Sequence, residues 1–317
     1  MQSIRNAFVL GAGLGTRLKS ITARQPKPLI PVVNRPLITY AFEHLRGVGI
    51  ERFVVNTHWR GEAYAAAFPD DRYDGAPLTF RHEAPEVLET AGGIKNVEDL
   101  LGHEPFFVYN GDILSDLPLA PAIRAHTEMR NEVTMVLRSK DGPLQVAFDE
   151  ISGRVTDIGK RVDPASDPRF LFTGIYIVNP EFFARIPPAT KISVVPIFLD
   201  MIRTGSRLGG VIIDDGHWWD LGTREQYLAV HREFAAHQPS TINHQLSAWI
   251  HPTAQIAPSA HLSGAVAVGA GAVVGEHASL HDCVIWERAQ IAAGSLLNDC
   301  IVTGAADVSG LHSHADL

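Results

Sequence analysis

The sequence predicts an α/β domain with a mostly parallel sheet, followed by a short parallel β-helix. Short apolar segments rich in β-branched residues alternate with helix-like segments over roughly the first 235 residues, which is typical of a parallel sheet covered by helices. A six-residue repeat then replaces this alternation. The length of 317 residues also exceeds the size at which one hydrophobic core keeps growing, so two domains are expected.

The alternating region contains segments of two kinds. The predicted strands are NAFVLGA, RFVVNTH, PFFVYNGD, EVTMVLRS and LFTGIYIVN. The predicted helices are PLITYAFEHLRGVG, GGIKNVEDLLG and REQYLAVHREFAAH. Because ligands of parallel sheets bind beyond the carboxyl ends of the strands, Asp112 after FFVYN and Asp220 after HWW are candidate site residues.

Apolar residues recur at every sixth position in the last part of the chain, a period typical of a hexapeptide β-helix with triangular coils. The repeating positions are Ile256, Leu262, Val268, Val274 and Leu280, and the period slips by one residue near Trp286. We therefore predict an α/β domain at residues 1–236, a linker at 237–249, a β-helix at 250–310 and a frayed tail at 311–317.

The overall charge and the scarcity of cysteine exclude several classes of protein. The formal net charge is -8, so no global basic field exists to bind nucleic acid or an anionic membrane. No segment has the ~18 consecutive apolar residues of a membrane-spanning helix. The only cysteines are Cys283 and Cys300, which are expected to stack as buried, inert neighbours in the β-helix. These features predict a cytoplasmic protein with no nucleic-acid or membrane partner.

The stretch VLGAGLGTRLKSITARQPKPL, residues 9–29, predicts a phosphate-binding loop. Gly11, Gly13 and Gly15 allow backbone amides to approach a ligand without interference from a Cβ atom. Arg17 adds a guanidinium that can bind a phosphate with two parallel hydrogen bonds, and Lys27 adds a compact charge. The glycine spacing differs from both the dinucleotide-binding fingerprint and the P-loop. The pattern therefore indicates a different polyphosphate site.

Four segments together resemble the sugar-1-phosphate nucleotidyltransferases, also called NDP-sugar pyrophosphorylases. LGAGLGTRL and PKPLIPVVNRPLI are similar to the signature of that family, with Gly11 in place of an alanine. VYNGD and HWWDLGT are similar to its two metal-binding motifs. The resemblance covers nearly the whole chain and implies a Rossmann-like nucleotidyltransferase domain followed by a left-handed β-helix. The members that the chain resembles include both mannose-1-phosphate guanylyltransferases and N-acetylmuramate-1-phosphate uridylyltransferases.

The resemblance implies that a sugar 1-phosphate attacks the α-phosphorus of a nucleoside triphosphate and that pyrophosphate leaves. Such transfers depend on positioning and on charge neutralisation rather than on a protein nucleophile. By this resemblance, Arg17, Lys27 and Asp112 are catalytic, and Asp112 and Asp220 hold Mg²⁺. The resemblance leaves two substrate pairs open, GTP with mannose 1-phosphate and UTP with an N-acetyl amino sugar 1-phosphate.

The family pattern also implies two sets of binding residues. The segment RHEAPEVLETAGGIKN is at the place where family members contact the base. In DIGKRVDP, the residues Lys160 and Arg161 stand where the family usually has Glu-Lys-Pro at the sugar site. The predicted nucleotide-binding residues are Gly11, Ala12, Gly13, Leu14, Gly15, Thr16, Glu83, Ala91 and Gly92. The predicted sugar-phosphate-binding residues are Asn110, Lys160, Arg161 and Gly174.

Two other classes of function are compatible with parts of the sequence. One is a noncatalytic relative that binds nucleotide sugars and regulates a partner, although the sequence retains Arg17, Lys27, Asp112 and Asp220. The other is an acyltransferase that would use a β-helix histidine such as His261 or His281 as a base. The β-helix is more typical of an assembly module, so we expect a homo-oligomer formed through it.

Overall fold

The computed structural model describes residues 4–13, 15–18, 20–236 and 248–317, without the side chains of Thr16 and Ala248. Leu14 and most of the expected linker, residues 237–247, lie outside the described residues. The α-helices are α1 (Ile38–Arg46), α2 (Glu62–Ala67), α3 (Glu89–Lys95), α4 (Glu98–Leu101), α5 (Ala120–Glu128), α6 (Val194–Arg203) and α7 (Arg224–Ala236). Short 3-10 helices are Thr16–Leu18, Lys27–Leu29 and Pro180–Arg185.

The strands before α7 form one large sheet and two small ladders. They are β1 (Asn6–Leu10), β2 (Pro31–Val32), β3 (Arg35–Pro36), β4 (Arg52–Thr57), β5 (Arg72–Tyr73), β6 (Ala76–His82), β7 (Phe106–Asn110), β8 (Ile113–Ser115), β9 (Val133–Arg138), β10 (Val146–Asp149), β11 (Arg154–Ile158), β12 (Leu171–Val178), β13 (Leu208–Ile212) and β14 (Trp218–Asp220). The ten-stranded sheet has the order β10-β11-β13-β9-β12-β7-β1-β4-β6-β5. The ladders are β2 with β3 and β8 with β14.

The large sheet confirms the predicted α/β fold, and β5, β11 and β12 run against the direction of its other strands. Strands β7, β1, β4 and β6 are mutually parallel, as are β9 and β13. Strand β12 is antiparallel to both β7 and β9. Parallel neighbours need a crossover connection, commonly a helix, whereas β9 is connected to β12 by β10 and β11. The connection from β9 to β12 is accordingly not a helical crossover.

Both faces of the central strands are buried. In β1, Phe8 belongs to a hydrophobic core with residues of α3, α4 and α6. Its neighbours Ala7 and Val9 belong to a second core with residues of α1, α2 and α5. Since side chains alternate between the faces of a strand, this is a sheet covered on both sides. No helix in the described ranges combines the length and apolar character that a bilayer crossing requires.

The contacts divide the chain into two compact units that do not follow the sequence order. The first contains residues 1–14, 26–29 and 37–220. The second contains residues 15–25, 30–36 and 221–317. Helix α7, which the sequence assigned to the first domain, thus belongs to the same unit as the β-helix. The signature stretch around Arg17 and Lys27 contributes to both units.

The last part of the chain forms three parallel four-stranded sheets, as expected for a left-handed β-helix. Its strands are β15 (Ala248–Ile250), β16 (Gln255–Ile256), β17 (His261–Ser263), β18 (Val266–Val268), β19 (Val273–Val274), β20 (Ser279–His281), β21 (Val284–Ile285), β22 (Gln290–Ile291), β23 (Leu296–Asn298), β24 (Ile301–Val302), β25 (Asp307–Val308) and β26 (Leu311–Ser313). Val274 is opposite Ile256 and then Ile291, so the spacing of 18 residues shortens to 17. This is the slip that the repeat predicts near Trp286.

The interior and the final coil of the β-helix also have defined partners. Cys283 and Cys300 are fully buried in its apolar core, as predicted. The frayed tail predicted for residues 311–317 is wrong. Strand β26 pairs with β23, and Leu317 N donates to Ile301 O at 2.8 Å. The preceding coil offers a parallel edge of backbone donors and acceptors, and the tail satisfies them.

A buried histidine joins two elements of the second unit. His231 in α7 is 1% exposed. Its Nδ1 donates to Tyr227 O at 2.8 Å, and its Nε2 accepts from Val33 N at 3.2 Å in the turn between β2 and β3. Burial lowers the pKa of His231 from 6.5 to about 4, although the hydrogen bond to the carbonyl opposes this shift. The imidazole is therefore neutral at pH 7.

The neutral His231 predicts a loss of stability in mild acid. Between pH 6.5 and 4 the unfolded chain binds a proton at this residue that the folded chain does not, so the free energy of unfolding falls as the pH is lowered. We expect a loss of about 2 kcal/mol from this residue between pH 7 and pH 5. His231→Gln removes the titration, and urea denaturation at both pH values should show a smaller change. An equal pH dependence in both proteins would contradict this prediction.

Candidate active site

The centre of the candidate site is a buried ammonium group between two carboxylates. Lys27 Nζ lies 2.7 Å from Asp112 Oδ2 and 3.5 Å from Asp220 Oδ1. The Lys27 side chain is 5% exposed, whereas those of Asp112 and Asp220 are 36% and 29% exposed. The ammonium is thus enclosed by protein, while the carboxylates remain accessible to a ligand.

The small β8–β14 ladder places the two aspartates together. Asp112 follows β7 and directly precedes β8, and Asp220 ends β14. The strands are antiparallel, with Asp220 opposite Ile113, the residue after Asp112. Residues over a hundred positions apart in the chain are therefore neighbours. The sequence placed each aspartate at a strand end, but only the ladder brings both to one ammonium group.

These residues fit a divalent cation. One ammonium and two carboxylates leave an excess of negative charge, which would repel a phosphate unless a cation is added. Mg²⁺ prefers oxygen ligands and commonly binds only one or two carboxylates, together with water and substrate phosphates. Within the described ranges no cluster of three or more histidine, cysteine or acidic residues is suited to a metal. Asp112 and Asp220 are the two acidic residues that the β8–β14 ladder brings to Lys27.

The Arg17 segment is held inside the second unit. Gly15 has a φ of +59°, and its carbonyl accepts from Leu18 N at 3.1 Å and from Thr22 Oγ1 at 2.9 Å. The exposed Arg17 presents its guanidinium to Gly222, where a Cβ atom would lie 2.6 Å from Arg17 Cζ. Leu14 and the Thr16 side chain, both predicted to bind nucleotide, lie outside the described residues.

The glycines of the signature stretch have different roles. Gly11 N donates to Asn56 Oδ1 at 2.8 Å, and Gly11 O accepts from Tyr64 Oη at 2.8 Å. The Gly11 amide is therefore used within the fold, and its contact with the nucleotide stays a prediction. Ala12 is also buried, whereas Gly13 is exposed and a Cβ atom there would meet no atom within 4 Å. Of these three residues, Gly13 has the backbone that a ligand can approach.

Glu83, which the sequence predicts to bind nucleotide, is hydrogen-bonded within the fold. Glu83 is 1% exposed. Oε1 accepts from Asn56 Nδ2 at 2.7 Å, and Oε2 accepts from Leu88 N at 2.8 Å. A buried carboxylate must be satisfied by donors, and here the protein supplies them. Together with Gly11, these contacts form a continuous chain of hydrogen bonds. The contact of Glu83 with a base edge stays a prediction.

The small residues of ETAGG pack against a distant segment of the chain. Ala91 and Gly92 are buried in α3, and both amides donate to Ile192 O, at 2.9 and 3.1 Å. A Cβ atom at Gly92 would lie 2.4 Å from Thr190 O. In this structure the close approach is made by residues 190–192, and the approach of Ala91 and Gly92 to the nucleotide stays a prediction. No signal in the sequence identifies residues 190–192 as their partner.

Asn110 and Gly174, both predicted to bind the sugar phosphate, lie next to each other. Gly174 has a φ of +79°, and a Cβ atom there would lie 2.4 Å from Asn110 Nδ2. Trp218 Nε1 donates to the carbonyl of Thr173 at 2.9 Å and so fixes the peptide that precedes Gly174. Trp218 is not among the residues predicted from the sequence. Its position two residues before Asp220 on the same strand was the available signal, because alternate residues share a face.

Lys160 and Arg161 lie in a loop closed around a buried carboxylate. Asp157, which is 1% exposed, accepts from Arg161 N at 2.9 Å and from Asp163 N at 2.8 Å. Burial opposes its ionisation, but these hydrogen bonds and one from Ser166 hold the pKa of Asp157 below its ordinary value. Both basic side chains are exposed. The contacts that the structure describes connect this loop to Asp157, not to Asn110 or Gly174.

The sequence matches two known families. Residues 6–237 match the nucleotidyl transferase family. The chain is a member of this family. Residues 245–312 match a second family, the GMPPB C-terminal domain, which extends the similarity through the β-helix.

Relatives of this nucleotidyl transferase differ in base and sugar. It is 29% identical over 299 residues to a mannose-1-phosphate guanylyltransferase of Mycobacterium tuberculosis, covering 92% of this chain and 82% of the relative. It is 30% identical over 217 residues to an N-acetylmuramate alpha-1-phosphate uridylyltransferase of Neisseria meningitidis, covering 68% of this chain and 93% of the relative. These homologues are sugar-1-phosphate nucleotidyltransferases.

Solved structures support the same fold. An inositol-1-phosphate CTP transferase of T. maritima superposes with a TM-score of 0.60 at 22% identity, covering 71% of this chain and 93% of that protein. HddC of Yersinia pseudotuberculosis, in a complex with GMP-PN, also gives 0.60 at 21% identity, covering 73% of this chain and all of that protein. At these identities the likeness establishes the α/β fold of the nucleotidyl transferase.

The contact between Gly174 and Asn110 predicts a site-specific penalty for alanine. Gly174→Ala and Gly205→Ala both place a side chain at a positive φ, +79° and +69°, so their backbone strain is comparable. Only at Gly174 would the new Cβ atom collide with a neighbour, since Gly205 has no atom within 4 Å. Chemical denaturation should show that Gly174→Ala lowers the free energy of unfolding by about 1–3 kcal/mol more than Gly205→Ala does. Equal losses would mean that Asn110 is not held against this glycine.

Proposed function

We propose that the chain transfers a nucleotidyl group from a nucleoside triphosphate to a sugar 1-phosphate. A phosphate oxygen of the sugar 1-phosphate forms a bond to the α-phosphorus, and the bond from the α-phosphorus to the pyrophosphate oxygen breaks. The products are an NDP-sugar and pyrophosphate. The observation that supports this proposal best is the Lys27 ammonium with Asp112 and Asp220 at 2.7 and 3.5 Å, in a member of the nucleotidyl transferase family.

Positioning and charge neutralisation are the chemistry that this site can supply. An ammonium group has three N–H donors, and among the described contacts Asp112 and Asp220 accept from Lys27. The remaining donor can bind a phosphate oxygen of the triphosphate. Arg17 would bind the departing pyrophosphate through its planar guanidinium. Burial keeps Lys27 in one place, so it need not be reoriented when the substrate binds.

Mg²⁺ is the cofactor that we assign to Asp112 and Asp220. Bound there, it would neutralise charge on the phosphates of both substrates. The carboxylates are partly exposed, at 36% and 29%, so they are open to an ion that also binds water and phosphate. Their fixed spacing on the β8–β14 ladder is the contribution of this chain to metal binding.

For the substrates we propose GTP and mannose 1-phosphate first. The M. tuberculosis guanylyltransferase aligns over 92% of the chain, and the C-terminal family match covers the β-helix. The second candidate pair is UTP and N-acetylmuramate 1-phosphate. It is supported by the 30% identity to the N. meningitidis uridylyltransferase and by Glu89-Thr90 in the base-binding region. Asn110 and Gly174 would form the sugar subsite in both cases.

A pyrophosphate-release assay tests the reaction and chooses between the pairs. Purified protein with Mg²⁺ is incubated with GTP, UTP, CTP, ATP or dTTP, each combined with a panel of sugar 1-phosphates. We expect GTP with mannose 1-phosphate to have the highest kcat/KM. A higher value for UTP with N-acetylmuramate 1-phosphate would select the second pair. If no pair releases pyrophosphate, the proposed function is refuted.

The shared ammonium and cation predict non-additive effects of the two aspartates. Asp112→Asn and Asp220→Asn should each lower kcat by about 100-fold or more, and the double variant should be scarcely slower than either one. Asp116→Asn is the matched control, because Asp116 follows β8 and accepts from His217 rather than from Lys27. It should keep most of its turnover. Losses that add in free energy would show that the two aspartates act separately.

We also propose a homo-oligomer that uses the β-helix. Leu296 and Leu311 are adjacent in the β23–β26 register and are 46% and 76% exposed. Two neighbouring apolar side chains on an outer face are suited to burial against a second copy of the chain.

A further inference from the structure

The segment that contains Arg17 is attached to the β-helix within the second unit. Ser20 Oγ donates to Asp316 Oδ2 at 3.0 Å. Arg24 Nη1 donates to Gly304 O at 2.7 Å. Residues 15–25 belong to the same compact unit as these partners, which follow them by nearly 300 positions. The β-helix therefore holds a segment of the phosphate-binding signature.

Asp316 is itself fixed by an arginine of α7. Arg224 Nε donates to Asp316 Oδ1 at 2.7 Å, so each Asp316 oxygen has its own donor. Arg224 Nη1 donates to Asp299 Oδ2 at 3.2 Å, and Asp299 also binds Arg232. The side chains of Arg224, Asp316 and Asp299 are 19%, 20% and 14% exposed. Charge-assisted hydrogen bonds between partly buried groups hold this carboxylate in one orientation.

The Arg17 guanidinium also lies next to the segment that contains Arg224. It lies against Gly222, two residues before Arg224, with only 2.6 Å between Arg17 Cζ and a Cβ atom built at Gly222. The backbone of the loop is thus attached to Asp316 through Ser20. The segment that contacts the Arg17 head group is attached to Asp316 through Arg224. The Arg17 backbone and the Arg17 guanidinium are therefore both connected to the Asp316 carboxylate, the first through Ser20 and the second through Arg224.

We infer that Asp316 is a positioning residue for Arg17 and that the β-helix thereby takes part in binding the triphosphate. Arg17 touches the phosphates and Asp316 does not. Asp316 limits the positions that the Arg17 guanidinium can adopt before the nucleotide binds, so less conformational freedom is lost on binding. This inference rests on the proposed phosphate contact of Arg17. It assigns the C-terminal coils a role in the reaction besides assembly.

The test uses the full chain with Ser20→Ala, Asp316→Ala and the matched control Asp282→Ala. Asp282 accepts from Arg232 of α7 at 2.8 Å, and among its described contacts none is made to residues 15–25. We expect Ser20→Ala and Asp316→Ala to raise the KM for the nucleoside triphosphate about tenfold, the effect of one charge-assisted hydrogen bond. The KM for the sugar 1-phosphate should stay within about twofold. Asp282→Ala should leave both values near those of the unchanged protein.

A double-variant cycle separates positioning from general damage to the fold. In an Arg17→Ala background, Asp316→Ala should not raise the KM for the nucleotide further, because the group that it positions is gone. Equal rises in both backgrounds would overturn the inference. So would an Asp282→Ala variant with the same rise in nucleotide KM, since that would mark a nonspecific loss of stability.

Hydrogen exchange gives a readout that does not depend on turnover. Pyrophosphate should slow exchange in the peptide covering residues 15–25, and this protection should be lost in Asp316→Ala. A chain that releases no pyrophosphate with any substrate pair but shows this protection would refute the proposed function and support the positioning role. Protection that is unchanged in Asp316→Ala would overturn the positioning role, whatever the activity.

Discussion

The structure of the candidate site depends on the pairing of one buried ammonium group. The Lys27 side chain is only 5% exposed, and a buried charge without a partner is strongly destabilising. Asp112 and Asp220 supply that partner from a ladder of two short strands. Pairing the buried Lys27 ammonium therefore requires that β8 pair with β14. The same pairing presents the two accessible carboxylates. A residue suited to phosphate binding also stabilises the fold that presents it.

The signature stretch is continuous in sequence but is stabilised in two compact units. Gly11 is hydrogen-bonded to Asn56 and Tyr64 within the first unit. Residues 15–25 and 30–36 belong to the second, where Asn34 Nδ2 donates to the carbonyls of Trp249 and Val268 at 2.8 and 3.0 Å. A motif found by its spacing thus contains both residues exposed to solvent and residues that anchor the loop.

Two buried carboxylates show why charge alone is an incomplete guide to a site. Glu83 and Asp157 are each 1% exposed, and both are surrounded by N–H donors of the protein. A carboxylate removed from water must be satisfied by protein groups, and this need organises the neighbouring loops. The carboxylate of Glu83, which the sequence predicts to bind the base, is satisfied in this way within the fold. The exposed Lys160 and Arg161 are held in a loop whose centre is Asp157.

The sequence by itself determined the α/β class, the central strands, helices α1 and α7, the β-helix with its one-residue slip, and the two aspartates at strand ends. These features are local, because periodicity and composition over a few residues specify them. Only the tertiary structure decided the antiparallel direction of β12, the contact of Ala91 and Gly92 with residues 190–192, and the attachment of the Arg17 segment to Asp316. Each of these depends on contacts between residues far apart in the chain. A single sequence contains no local signal for such contacts, because they form only when the packed elements bring their partners together.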